Sequence, residues 1–221
     1  MTSRRVVIIA HGELKDFSFY RNLIGDNDLV ICVNGGTRHA LALGLSPDLV
    51  IGDLDSLRAS DQEAVKQVKA KLIKHPSEKD KSDLELALDH AVGLQPSEIL
   101  IIGALGGARF EHAFINVLLL KIPLGKDIPA RIIEERQEIL MAKKEAALSG
   151  AIGDYLSLFA LTEEVRGITT EGLKYPLNNE SLYYASSLGL SNELTSSQVK
   201  VNFQSGLLLL VKTPRGDNDP G

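Results

Sequence analysis

Residues 82–103 read Ser-Asp-Leu-Glu-Leu-Ala-Leu-Asp-His-Ala-Val-Gly-Leu-Gln-Pro-Ser-Glu-Ile-Leu-Ile-Ile-Gly, and they hold two patterns back to back. Leu84, Ala87, Leu88, Ala91 and Val92 recur at three and four residues, which gives a helix one apolar face. Ser82 with Glu85 three residues later forms a capping box, so the spacing predicts a helix over 82–93. Ile99–Gly103 is a continuous apolar run, the pattern of a strand buried on both faces. The same alternation extends outward. Apolar runs at Val6–Ala10, Leu29–Val33, Leu49–Ile51, Lys71–Lys74 and Arg131–Ile133 alternate with helical patterns over 16–24, 37–44, 60–70 and 111–121. Ser60 and Glu63 offer a second capping box. This alternation predicts an α/β domain over residues 1–137, Rossmann-like, with a parallel sheet covered by helices on both faces.

The texture changes beyond residue 137. Tyr155–Leu161 and Ser181–Ala185 read as extended, and Val199-Lys200-Val201-Asn202-Phe203 alternates apolar and polar as a half-buried strand does. Ser205-Gly206 reads as a turn into Leu207–Val211, which predicts a hairpin over 198–212. Residues 138–212 are therefore expected to form a small all-β domain, a β-sandwich. The tail Thr213–Gly221, rich in Pro, Gly, Asp and Asn, is expected to be disordered, and its Arg215-Gly216-Asp217 is read as a chance tripeptide.

Composition narrows the function classes. The 221 residues are 44% apolar and 24% charged, which excludes wholesale disorder. With 24 Lys+Arg against 29 Asp+Glu and no basic block, a nucleic-acid surface is not expected. The single cysteine, Cys32, excludes an internal disulfide framework and a multi-cysteine zinc site. It lies inside the apolar run Leu29–Val33 and reads as a core thiol. No apolar stretch approaches the roughly 18 residues a membrane helix needs, and Val6–Ala10 is too short for a signal core, so a cytoplasmic protein is expected.

In a parallel α/β sheet, ligands bind beyond the carboxyl ends of the strands, so the polar residues after each run are the candidates. They are Asn34-Gly35-Gly36, Gly52-Asp53-Leu54-Asp55-Ser56, Glu78-Lys79-Asp80-Lys81-Ser82-Asp83, and the stretch from Gly103 to His112. Glycines, carboxylates and cations together suit a phosphate with a divalent metal. Asp53 and Asp55, two apart, put both carboxylates on one side of an extended chain, where a cation such as Mg²⁺ relieves their repulsion; a polar turn is the alternative. Asp80 and Asp83 fit a metal site or simply favour a helix N-terminus. Lys79 and Lys81 are phosphate contacts or solvated charges. Gly103–Gly107 lacks the lysine of a P-loop and the dinucleotide spacing; its glycines admit a phosphate, with Arg109 adding a forked charge, or serve tight packing. His112 is a base or a surface residue.

Asn34-Gly35-Gly36, Pro47-Asp48 with Gly52-Asp53-Leu54-Asp55-Ser56, and Lys79-Asp80-Lys81-Ser82-Asp83 form an ordered series. It continues with Gly106-Gly107-Ala108-Arg109-Phe110-Glu111-His112 and Asn116, then Gly172-Leu173-Lys174-Tyr175-Pro176-Leu177 and Ser191-Asn192-Glu193. The series resembles the thiamine pyrophosphokinase (thiamine diphosphokinase) family in order and approximate spacing over nearly the whole chain. The resemblance implies Mg²⁺-dependent transfer of a pyrophosphoryl group from ATP to the thiamine hydroxyl, releasing AMP. It further implies a homodimer with thiamine sites where subunits meet. By that resemblance Asp53, Asp55 and Asp83 hold the metal, with Asp80 beside them, and Lys79, Lys81 and Arg109 contact phosphates. Gly35, Gly36, Gly106, Gly107, Glu111 and His112 belong to the ATP side. Tyr175 stacks on thiamine, and Ser191 and Asn192 contact its aminopyrimidine. The chain departs from the family pattern at Asn34, where Asp is usual, at the inserted Ala108, at Glu111 in place of Asp, and at Ser82 in place of Thr. Two rival readings are a pyrophosphokinase for another heterocyclic alcohol, such as a hydroxymethyl pterin, and a non-catalytic nucleotide or thiamine sensor.

Overall fold

The computed structural model describes residues 4–53, 57–75, 80–106 and 109–216. Its chain divides into two units, residues 1–135 and 136–221. In the first, β1 (Val6–Ile9), β2 (Leu29–Val33), β3 (Leu49–Gly52), β4 (Lys71–Lys74), β5 (Ile99–Ile102) and β6 (Ala130–Glu134) run parallel. Their order is β6-β5-β1-β2-β3-β4. The register sets Val6 of β1 opposite both Leu29 of β2 and Ile99 of β5. β1, β3 and β5 are buried at every position, as their unbroken apolar sequences require. β4 closes one edge with Lys71 and Lys74, the charged residues that discourage further strand pairing.

Helices α1 (Phe17–Leu23), α2 (Gly36–Ala42), α3 (Ala59–Gln67), α4 (Asp83–Gly93), α5 (Phe110–Leu118) and α6 (Lys121–Leu124) lie between the strands. In α4, Leu84, Ala87, Leu88 and Ala91 are buried, and Ser82 Oγ accepts the Glu85 N–H at 3.1 Å, so the predicted cap forms. The second predicted cap does not. α3 starts one residue early, Arg58 occupies the N-cap with no side-chain bond, and the Ser60 hydroxyl is directed at Asp61. The helix expected to run to residue 121 stops at Leu118 and a separate turn follows. Pro123 has no N–H to offer the carbonyl four residues back, which breaks a continuous helix there. Among the described residues no helix is long and apolar enough to cross a membrane.

The second unit is antiparallel. β7 (Gln137–Ala142), β8 (Glu145–Ser149), β9 (Tyr155–Ala160), β10 (Glu164–Glu171), β11 (Asn178–Tyr183), β12 (Asn192–Glu193), β13 (Gln198–Asn202) and β14 (Leu208–Thr213) are its strands. They form the series β12-β9-β14-β7 and β11-β10-β13-β8, and both series bury side chains in one core that includes Leu156, Leu158, Val165, Ile168, Val199, Val201 and Leu210. β13 alternates as its sequence indicated, with Val199 and Val201 buried between exposed neighbours. The expected hairpin over 198–212 is absent. β13 is already paired on both sides, with β8 and β10, so β14 has no edge to join and pairs with β7 and β9 instead. Ser205 bridges Arg166 on the way across. The tail expected to be disordered from Thr213 onward is tied down at its start. Thr213 pairs with Tyr155, and the Arg215 N–H donates to Asp154 Oδ1 at 3.1 Å; residues 217–221 lie outside the described residues.

Candidate functional site

The chain lays down β1 to β4 in one direction, then returns to the other side of β1 to place β5. That reversal opens a crevice at the carboxyl ends of β1 and β5, where α/β sheets bind ligands. A pocket of about 800 Å³ lies there. The loop after β1 contributes His11, Gly12 and Glu13, the loop after β5 contributes Gly103, Ala104 and Gly106, and α5 contributes Arg109, His112 and Asn116. The two loops touch through backbone: the Gly12 N–H donates to the Gly103 carbonyl at 2.7 Å. A Cβ on Gly12 would lie 2.4 Å from that oxygen, so any side chain there would force the loops apart.

Gly103–Gly106 is held from outside the loop. Glu134, at the end of β6, accepts the N–H groups of Ala104 and Leu105 on Oε1 at 2.9 and 3.0 Å, and the Tyr20 hydroxyl on Oε2 at 2.7 Å. Asn116 donates to the Ala104 carbonyl at 2.7 Å. Next to Glu134, Glu135 accepts the N–H groups of Lys15 and Asp16 and fixes the loop after β1. Burial pushes the Glu134 carboxyl above the ordinary range, although its backbone and tyrosine donors act in the opposite direction.

Of the candidate carboxylates, Asp83 is held by Asn34. Asp53 follows β3 and Asp83 opens α4, which packs on β2 and β3. Asn34, after β2, adopts φ +44° and donates through Nδ2 to Asp83 Oδ2 at 2.5 Å. Its side chain fits because Gly52 has none; a Cβ there would lie 1.8 Å from Asn34 Oδ1. An amide donor at this position stabilises a carboxylate that a second carboxylate would repel. Asp80 is exposed just ahead of α4, and Asp55, Lys79 and Gly107 lie outside the described residues. Among the described residues, no three or more His, Cys, Asp or Glu side chains are grouped to hold a metal ion.

Gly35 and Gly36 admit close packing. A Cβ on Gly36 would lie 2.1 Å from the Ile9 carbonyl, and one on Gly35 would strike the His11 ring at 2.2 Å. His11 Nε2 lies 3.0 Å from Arg38 Nη2; burial first, then that guanidinium, hold the imidazole below its ordinary range. His39, another pocket residue, is pushed down mainly by burial. Of the predicted phosphate contacts, Arg109 occupies the N-cap position of α5 without a side-chain cap and pairs with Glu111 at 2.6 Å, both side chains exposed. Lys81, just ahead of α4, is turned to Asp89 at 2.6 Å and Glu85 at 3.5 Å on that helix. His112 is exposed on the pocket wall. Cys32 is fully buried in β2, and burial pushes its thiol far up.

In the second unit Tyr175 is 66% exposed, with Lys174 Nζ 5.9 Å from its ring centre. Asn192 does not present its amide outward. Its Oδ1 accepts the Tyr175 N–H at 3.0 Å and its Nδ2 donates to the Tyr175 carbonyl at 2.7 Å, so the side chain clamps the backbone carrying the ring. Both ends of the Asn192 amide are thus engaged with the Tyr175 backbone. Ser191, at φ +54°, donates its N–H to Ser157 Oγ at 3.0 Å.

Sequence reasoning passes over His11, Gly12, Glu13, His39, Glu134 and Glu135. The first three follow the first strand, so the rule used for the other strands would have found them. Glu134-Glu135, after the apolar run Arg131–Ile133, offered the same signal at the sixth.

Comparison with known proteins accounts for both units. Residues 20–132 match the family described as thiamin pyrophosphokinase, catalytic domain, and residues 136–208 match thiamin pyrophosphokinase, vitamin B1 binding domain. The chain is 32% identical over 202 residues to a thiamine pyrophosphokinase of Bacillus subtilis, covering 87% of this chain and 94% of that one. The crystal structure of the thiamine pyrophosphokinase from Bacillus subtilis superposes with a TM-score of 0.86 at 30% identity, covering 96% of this chain and all of the other. That of Geobacillus thermodenitrificans gives 0.83 at 31% identity, over 96% and 99% of the two chains. The yeast thiamin pyrophosphokinase, 16% identical with a TM-score of 0.74 over 96% of this chain and 87% of its own, shares the fold.

Proposed function

The chain belongs to the thiamine pyrophosphokinase family, and on that premise we propose that it is a thiamine diphosphokinase using ATP and Mg²⁺. The tandem match of a catalytic domain to the α/β unit and a vitamin B1 binding domain to the β unit carries this reading. The second match favours thiamine over a hydroxymethyl pterin as acceptor.

In this reaction the thiamine hydroxyl oxygen attacks the β-phosphorus of ATP. The bond from that phosphorus to the α-bridging oxygen breaks, AMP leaves with the oxygen, and the hydroxyl proton is released. Such chemistry needs positioning and charge neutralisation more than covalent help. The glycine loops after β1 and β5 leave space for the nucleotide, and the Arg109 fork matches a phosphate. Asp53 and Asp83 are oxygen donors with no histidine or cysteine among them, which fits Mg²⁺; Asp55 is the expected third. When bound, Mg²⁺ neutralises polyphosphate charge. Asn34 holds Asp83 Oδ2 by a hydrogen bond, which orients that carboxylate. Tyr175 offers an electron-rich face to the cationic, aromatic thiamine. With the ring 66% exposed, a ligand stacked on it needs a second surface for desolvation, which a homodimer partner would supply.

The test is to follow AMP from ATP with and without thiamine. AMP and thiamine pyrophosphate formed in equal amounts, only when thiamine is present, support the reading. Binding of both ligands without AMP would make the chain a sensor, and turnover of a hydroxymethyl pterin but not thiamine would reassign the acceptor.

A further inference from the structure

The loop from Gly103 to Gly106 forms one wall of the pocket, and it is held by Glu134 and Tyr20, which do not line the pocket, together with Asn116, which does. Two consecutive N–H groups, those of Ala104 and Leu105, converge on one oxygen of Glu134. Convergent amides of this kind are an anion cradle, and here the anion is internal. A phosphate therefore does not take these two donors; they are already engaged. The other carboxylate oxygen is held by the hydroxyl of Tyr20, which is 1% exposed on α1. The opposite side of the same peptide is held by Asn116, and the preceding carbonyl by Gly12. Ala104 is thus fixed at its N–H by β6 and at its C=O by α5.

We infer that Glu134, braced by Tyr20, is a positioning residue for the nucleotide, acting on ATP only through the 103–106 loop. The inference rests on the reading of this pocket as the ATP site. Removing the carboxylate leaves three polar donors in a largely buried space without their acceptor, and the loop must rearrange to find others. Glutamine is the informative substitute. Its carboxamide oxygen still accepts from both N–H groups, and its NH₂ can donate to the Tyr20 oxygen.

The experiment titrates the full chain with α,β-methylene ATP and Mg²⁺, without thiamine, and separately measures the KM for each substrate. Glu134→Ala is expected to weaken nucleotide binding about tenfold, Tyr20→Phe about threefold, and Glu134→Gln to recover most of the loss. The thiamine KM should stay at the parent value in all three. A purely structural role would instead lower thermal stability while leaving nucleotide affinity unchanged, or raise both KM values together. Either result overturns the inference, as does Glu134→Gln binding as weakly as Glu134→Ala. Should Glu134→Ala fail to fold, Tyr20→Phe decides, and unchanged affinity there overturns it. Parent protein that does not bind the analogue would sink the nucleotide reading itself; parent binding matched by the Glu134→Ala variant sinks this inference alone.

Discussion

The two units hold their candidate residues in different ways. In the α/β unit, the parallel sheet delivers the loop after each strand at one edge, and the half-buried carboxylate of Glu134 locks loop backbone from behind. In the β unit, Tyr175 stands on an exposed segment, supported by a single amide, Asn192, on the surface beside it. The first arrangement sets geometry before a ligand arrives; the second leaves a ring to be completed by what covers it. Chemistry that tolerates little displacement belongs with the first, and recognition of a flat cation can be left to the second.

Substitutions should separate the two. The largest effect is expected from the carboxylates: Asp83→Asn or Asp53→Asn should cut turnover on the order of a hundredfold or more, with thiamine affinity unchanged. Steady-state rates at varied Mg²⁺ check this, and parent-like turnover at limiting Mg²⁺ would remove both residues from the metal site. Next, Tyr175→Ala should weaken thiamine binding roughly tenfold and leave ATP binding intact, whereas Tyr175→Trp is tolerated. Calorimetric titration of each ligand reads the split. Asn192→Ala should lose somewhat less, and the double variant should be no worse than Tyr175→Ala, because the amide acts through the ring it positions. Additive losses would instead show a direct contact between Asn192 and the ligand.

The smallest effect concerns pH. The Glu134 carboxyl is raised above its ordinary 4.5 by burial, so the folded state holds that proton more tightly than the unfolded chain. Its favourable contribution to stability is complete below the unfolded value and is lost as pH rises through the folded one. Glu134→Gln has no such proton. The Tm of the glutamine variant relative to the parent should therefore climb as pH rises from below 4.5 toward neutrality. A constant difference would show that the carboxyl is not perturbed.

The parallel strands were legible because a strand covered on both faces must be apolar throughout, and Ile99–Ile102 admits no other reading. The β unit was legible only in part. Alternation in Val199–Asn202 shows that one face is buried, but the same alternation serves any neighbour, and so the hairpin with β14 was misplaced. At the site, the residue types after the strands pointed to the edge of the sheet where the pocket lies. What they could not show is how a side chain is engaged: Lys81 pairs with Asp89 of the helix that follows it, and Asn192 turns inward to backbone. Glu134 is the opposite case, a carboxylate that the sequence reading passed over and that is an internal acceptor.

Cys32, the sole thiol of the chain, is 0% exposed in β2 between β1 and β3. A buried, protonated thiol is inert to alkylation until its strand is released. Its labelling by a maleimide under native conditions therefore times the opening of the central sheet, and the chain carries its own unfolding clock without an engineered probe.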